Sequence, residues 1–308
     1  MELRIMLSLQ NKSIISIRDL KKEEIELILD KAEEMENKLK KKEPLYSLKN
    51  KILASLFFEP STKTRLSFSA AMQKLGGSVI EIEYSTTVKN LVDKIKMIEN
   101  YCDVILLRHP REGSARLAAE ISKKPVINAG DGSNQHPTQT LIDLFTIRKL
   151  KGKIENLNVS LVGDLKYNAV MKSLFYALGI FKANITLASP PELQMSWENI
   201  EEVRDKFGVK IFQTNNIASA IEEADVLYVC GIKKENFLDV FEAEKIQKNF
   251  RITLDLLENA KEDLIILHPL PKEIEIDSKI DETKFSKYYE QANFGLPVRM
   301  AILSLVCE

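Results

Sequence analysis

Two α/β domains, each a parallel sheet flanked by helices, are what the sequence predicts, and three observations predict it. The chain has 308 residues of which 44% are apolar, enough to build a core in each of two domains of ordinary size. Short apolar runs alternate with stretches of helical periodicity, the pattern of parallel strands joined by crossover helices. A charged break, Lys149-Leu150-Lys151-Gly152-Lys153, separates one series of such runs from a second. A boundary near Lys151 is therefore expected, with residues 1–150 and 151–308 as the two domains.

Ile25, Ile28, Leu29 and Ala32 recur at helical spacing and continue through Met35 and Leu39, so a long amphipathic helix ends in the solvated run Lys40–Glu43. Residues Lys51–Phe58 read as a buried strand, and Phe68, Ala71, Met72 and Leu75 give a helix closed by Gly76-Gly77. Val79–Ile82, Val104–Arg108 and Pro125–Ala129 are further strands, with helices around Leu91–Tyr101 and Gly113–Ser122 between them. The second series is Val159–Val162, Ile185–Ala188, Lys210–Phe212, Val226–Val229 and Leu264–Leu267. Val298, Ala301, Ile302 and Leu305 give a last amphipathic helix, about residues 296–307, expected to return to the first domain.

Charge and cysteine usage exclude several functions. Forty-four Lys+Arg against 45 Asp+Glu leave a formal charge of −1, so no global basic field exists to hold nucleic acid or an anionic membrane. No apolar run approaches the roughly 20 residues that span a bilayer. Met1–Ser13 mixes Glu2, Arg4, Gln10 and Lys12 into its apolar residues, which is no secretory signal. Cys102, Cys230 and Cys307 form no C-x-x-C pair, against a disulfide framework or a zinc site. A cytoplasmic protein without a metal or organic cofactor is expected.

In open α/β sheets ligands bind beyond the carboxyl ends of strands, and four polar clusters fall there. Glu59-Pro60-Ser61-Thr62-Lys63-Thr64-Arg65 follows the first strand. Ser61 can cap the next helix, and hydroxyls, a lysine and unpaired N–H groups then suit an anion; an ordinary cap with a solvated basic turn reads equally well. All three histidines precede proline, at His109, His136 and His268, so each is held extended. Beside His109, Arg108 is the better ligand candidate because its fork is a fixed cation, and His109 reads as structural. Asn128–Gln139 carries Gly130 and Gly132, where backbone can approach a ligand, and places His136 and Gln139 at a helix start opened by Pro137. Leu267-His268-Pro269-Leu270-Pro271 leaves a strand with carbonyls outside a regular ladder, which either receive an amide or form a rigid exit.

Taken in order, these clusters resemble the aspartate carbamoyltransferase catalytic chain, within the aspartate/ornithine carbamoyltransferase superfamily, from about Ile14 to Leu305. Gly163-Asp164-Leu165-Lys166-Tyr167, Asp225–Tyr228, the His268–Pro271 exit and Tyr289–Gln291 complete the series. The resemblance implies transfer of a carbamoyl group from carbamoyl phosphate to aspartate in pyrimidine biosynthesis. It implies trimers in which a neighbouring chain completes each site, as homotrimer or mixed with an active homologue, with a regulatory chain as a further partner. By the same resemblance Ser61, Thr62, Lys63 and Thr64 hold phosphate; Thr64, Arg108 and His136 polarise the carbamoyl oxygen; Gln139 and the Leu270 carbonyl take the carbamoyl NH2 group. A nicotinamide dehydrogenase would need a glycine triplet, and Gly163 is followed by Asp164-Leu165.

Departures from the family pattern cluster on the acceptor side. Lys63 stands for an arginine, exchanging a bidentate fork for a point charge. Residues 78–90 are shorter than the family's inter-chain loop, leaving Ser85 and Lys89 as its substitutes. Asn168-Ala169-Val170 replaces Gly-Arg-Thr and Cys230-Gly231 replaces Thr-Arg, so Ala169 and Gly231 mark two lost arginines; Lys233 and Lys272 are the remaining candidate cations. Charge-assisted contacts contribute roughly 1.5–3 kcal/mol each, so two lost clamps forfeit about 3–6 kcal/mol, a factor of about 10² to 10⁴ in rate. A weakly active or non-catalytic homologue is expected, the alternative being a working carbamoyltransferase using aspartate or another amine.

Overall fold

The computed structural model describes residues 8–83, 90–237 and 239–308. Ser85 and Lys89 lie outside them. The chain forms two compact units, one of the described residues up to Phe145 together with Phe294–Glu308, the other Thr146–Asn293. The division falls inside a helix, because the charged run from Lys149 belongs to that helix's last turn.

In the first unit α1 (Lys22–Lys40) buries Ile25, Ile28, Leu29, Ala32 and Met35. Acidic residues in its first turn and lysines in its last oppose the helix dipole favourably. Then follow β1 (Ile52–Phe57), α2 (Thr62–Lys74), β2 (Ser78–Glu83), α3 (Leu91–Ile98), β3 (Val104–His109), α4 (Ser114–Ile121), β4 (Val126–Asp131) and α5 (Pro137–Lys151). Among the described residues the sheet runs β2-β1-β3-β4, all parallel, with Phe57 opposite Arg108. Strand order reverses between β1 and β3, so the loops leaving these two strands flank the place where such sheets bind ligands. Strand β4 runs two residues further than its apolar pattern, carrying Gly130 and Asp131, because after a register shift Asp131 pairs with His109 of β3; Asn128 Oδ1 accepts the Gly130 N–H at 2.8 Å.

In the second unit come β5 (Asn158–Val162), α6 (Ala169–Ile180), β6 (Asn184–Ala188), α7 (Trp197–Phe207), β7 (Ile211–Thr214), α8 (Ile217–Glu222), β8 (Val226–Val229), α9 (Val240–Asn249), β9 (Ile265–Leu267) and α10 (Tyr288–Asn293). Its sheet is β7-β6-β5-β8-β9, again parallel. Edge strand β7 sits one residue later than its apolar pattern, with Phe212 62% exposed. Here the order reverses between β5 and β8, whose exits are Gly163–Asn168 and Cys230-Gly231.

The last helix, α11 (Gly295–Cys307), packs on α1 and α2 of the first unit. Ten of its thirteen residues are buried, which explains its apolar composition. Among the described residues no helix is long and apolar enough to cross a membrane.

Candidate active site

Strand β1 ends at Phe57, and the turn through Pro60 delivers Ser61 to the N-cap of α2. Ser61 has φ −158° and ψ 81°, and its hydroxyl makes no capping hydrogen bond, a correction to the capping role expected from sequence. The first-turn N–H groups of α2 carry partial positive charge, which suits an anion. Thr62 is exposed and Thr64 buried.

Lys63 Nζ donates to Gln139 Oε1 at 2.9 Å, and Gln139 Nε2 donates to Asp143 Oδ1 at 2.7 Å. Burial and then Arg299 pull Lys63 down to about 8, Asp143 opposes them, and Arg108 adds to the depression. Arg108, at the end of β3, is held by Glu59 at 2.6 Å and by the Ala129 carbonyl at 2.9 Å. Its Nε is buried without a hydrogen-bond partner among the described residues. Gly130 makes room for it: a Cβ there would lie 2.7 Å from Arg108 Nη1, and φ is +120°, a backbone open in practice only to glycine.

His136 sits beside the start of α5, its Nδ1 3.4 Å from Thr138 Oγ1. Burial, then Arg108, Lys63 and Arg299, hold it well below the ordinary imidazole value. It is therefore neutral at physiological pH and can donate one N–H without carrying charge. His109 instead faces the protein: its Nδ1 accepts from Arg111 N at 3.0 Å and lies 2.8 Å from Ser114 Oγ, and its ring meets Phe58. These contacts are in keeping with the structural role expected for it.

Arg299 was not singled out in the sequence, although one cation inside the apolar run of α11 was the signal. It is 1% exposed and lies over Phe68. One Nη donates to Ser67 Oγ, while its Nε and other Nη have no hydrogen-bond partner among the described residues. Ser67 in turn donates to the carbonyls of Lys63 and Thr64, bracing the first turn of α2.

In the second unit the strand exits carry carboxylates. Asp164 accepts from the Lys166 and Tyr167 N–H groups at 3.0 and 2.9 Å and from Asn236 at 2.7 Å, while burial raises it above the ordinary value. A Cβ at Gly163 would strike the Cys230 carbonyl at 2.2 Å, so β5 and β8 leave the sheet in close contact. The Cys230 thiol is buried and pushed up well above its usual value, first by burial and then by Asp164, which makes it no nucleophile.

Gly231 faces Glu275, whose oxygens would lie 3.3 and 3.5 Å from a Cβ there. Glu275 accepts the Glu273 N–H at 3.1 Å and its Oε1 is 2.8 Å from His268 Nε2. His268 Nδ1 accepts the Leu270 N–H at 2.9 Å, so the ring proton is on Nε2, facing the carboxylate. Leu270 has φ 48° and precedes a cis proline bond. Lys272 is paired with Asp281 at 3.0 Å, Lys233 is exposed before a short 3₁₀ turn, and Ala169 opens α6.

Lys63 and Arg108 beside the N-terminus of α2 in the first unit suit an anion. The aspartate/ornithine carbamoyltransferase carbamoyl-phosphate-binding domain matches residues 12–149, and the Asp/Orn-binding domain of that family matches residues 155–306. The chain belongs to the aspartate/ornithine carbamoyltransferase family. The catalytic subunit of aspartate carbamoyltransferase from Thermococcus kodakarensis is 50% identical over 301 residues, covering 96% of this chain and 97% of the relative. A catalytic subunit of aspartate transcarbamoylase from M. jannaschii is similar in structure, with TM-score 0.88, 46% identity and coverage of 95% and 97%. Aspartate transcarbamoylase from Trypanosoma cruzi, solved with carbamoyl phosphate and aspartate, gives 0.91 at 32% identity, covering 97% and 96%. In this carbamoyltransferase chain the first unit brings Lys63, Arg108, His136 and Gln139 into one electrostatic group. Asp143 and Arg299 are the members that sequence reasoning missed; Asp143 follows Gln139 by four residues, one turn along α5.

Proposed function

We propose that this carbamoyltransferase-family chain binds carbamoyl phosphate in its first unit and carries an altered acceptor half-site, so that aspartate carbamoylation is weak or absent. What carries the reading is the contrast of charge between the units. Lys63, Arg108 and Arg299 all bear on His136, whereas Gly231, at a position of a family arginine, faces the buried Glu275 carboxylate. Ala169 stands at the second such position, Lys272 is engaged by Asp281, and the shortened loop with Ser85 and Lys89 completes the set of differences.

In this reading the phosphate lies at the N-terminus of α2 against Ser61, Thr62, Lys63 and Thr64. An attacking amine adds to the carbamoyl carbon, and the carbonyl oxygen gains charge. Thr64, Arg108 and neutral His136 supply donors where that charge develops, and phosphate leaves against Lys63. Gln139 accepts from the carbamoyl NH2 group, with the Leu270 carbonyl assigned to the same group by resemblance alone. The chain works in the cytoplasm in pyrimidine biosynthesis, as a homotrimer or mixed with an active homologue, with a regulatory chain as a candidate partner.

A second reading, a working transferase for another amine, draws on the Gly231–Glu275 contact. A carboxylate where a dicarboxylate acceptor needs a cation favours acceptors of lower negative charge. Calorimetry with carbamoyl phosphate and inorganic phosphate tests the donor half; a colorimetric assay of carbamoyl product over an amine panel tests the other. The expected result is donor binding with carbamoyl-aspartate formation lower than a full acceptor site gives by about 10² to 10⁴. Brisk turnover that saturates with L-aspartate overturns it.

A further inference from the structure

Gln139 is held at both ends of its amide. Asp143 Oδ1, 2.7 Å from Nε2, fixes nitrogen on that side because a carboxylate only accepts. The Lys63 ammonium, 2.9 Å from Oε1, fixes oxygen on the other because an ammonium only donates. The two charges of opposite sign thus select one of the two orientations open to a side-chain amide. Asp143 is one turn along the same helix as Gln139, a rigid support. Lys63 is in the first turn of α2, the segment that receives phosphate in the reading above.

Lysine is suited to a double task. Its three N–H bonds point tetrahedrally, so one ammonium can serve an amide oxygen and a phosphate oxygen together, where a planar guanidinium directs its donors as a flat fork. Among the described residues, charged groups that bear on Lys63 include Arg299 on α11, Arg108 on β3 and Asp143 on α5. The two cations raise the cost of its ammonium, and the Gln139 oxygen offsets part of that cost.

We propose that Lys63 is a positioning residue for Gln139: by gripping the amide oxygen it presets the acceptor that reads the carbamoyl NH2 group, joining the phosphate and carbamoyl subsites through one ammonium. The inference rests on carbamoyl phosphate being the donor. Discrimination between carbamoyl phosphate and inorganic phosphate then depends on Lys63, not only the affinity for both. A lysine that served phosphate alone would weaken the two ligands equally.

The test measures the ratio of the Kd for inorganic phosphate to that for carbamoyl phosphate, by calorimetry on the full chain and its Lys63→Met variant. A loosened amide loses part of one neutral hydrogen bond, so the ratio falls about three- to tenfold in the variant. An unchanged ratio in folded variant overturns the proposal. A second measurement needs no phosphate: the Gln139 side-chain amide resonance, assigned by its loss in Gln139→Glu, should differ between the wild-type chain and Lys63→Met, because the ammonium that touches Oε1 is gone. A resonance at the same position in both overturns the contact itself. If wild type binds neither ligand, the donor assignment fails, while the resonance still reports on the Lys63–Gln139 contact independently.

Discussion

Phosphate affinity should depend on pH through Lys63, and the size of the effect follows from its surroundings. Burial and Arg299 bring its pKa to about 8 in the unliganded chain, whereas a bound phosphate dianion favours the ammonium and raises it. Binding therefore takes up a proton wherever the free lysine is neutral. Below about pH 8 the ammonium is already present and affinity is flat on this account; above it, affinity falls by up to about tenfold per unit, so pH 7 to 9 costs about tenfold. His136 is neutral throughout this window because its value is depressed far below it. Lys63→Arg removes the titrating group while keeping the charge, so its profile should keep only the ionisation of phosphate itself. Calorimetry in two buffers of different ionisation enthalpy reads affinity and proton uptake together, and uptake by wild type in excess of Lys63→Arg should be near one proton per phosphate at pH 9 and about a tenth at pH 7. Equal profiles for wild type and Lys63→Arg would falsify the lowered value of Lys63, and an unchanged phosphate affinity at pH 7 in Lys63→Met would refute its place at the anion site.

Arg299 depresses Lys63, so Arg299→Met should move the break in the phosphate profile to higher pH, measured by the same calorimetry; an unmoved break means the two do not interact. Gly130→Ala should weaken carbamoyl phosphate binding by displacing Arg108 and lower stability by about 1–3 kcal/mol through its positive φ, read by urea unfolding; a neutral result contradicts the packing described. His268→Leu removes the neutral imidazole N–H that faces the buried Glu275 carboxylate and should cost about 1.5–3 kcal/mol at neutral pH. Burial raises the Glu275 value, but hydrogen bonds led by His268 bring it below 4.5, so this contribution is present above that pH and lost as pH falls below it, visible in a pH series of urea midpoints. Introducing both arginines, Ala169→Arg with Gly231→Arg, should raise carbamoyl-aspartate formation at least about tenfold; no gain in a folded double variant places the acceptor defect elsewhere.

Much of the fold was legible because it repeats a simple pattern. Apolar runs such as Val104–Arg108 and Val226–Val229 are strands buried on both faces, which leave a continuous signature in sequence. Strand exits could be located for the same reason, and with them Arg108, His136 and the Ser61–Arg65 turn. The ends of elements were less legible: Gly130 and Asp131 extend β4 through a shifted pairing of Asp131 with His109, which periodicity does not register. Ser61 occupies the cap position without capping, since position in a sequence does not settle where a hydroxyl points.

The amino-acid order alone determined two α/β units, the loops that carry the chemistry and the family whose motifs they resemble, because these follow from local periodicity and short spacings. Tertiary structure decided what those residues meet. Arg299 lies 232 positions from Ser67 in the chain, yet braces it; Asp143 orients the amide that Lys63 holds; Glu275 lies against Gly231. Such contacts join residues remote in sequence, and electrostatic energies depend on distance and burial in space, which only the packed chain defines.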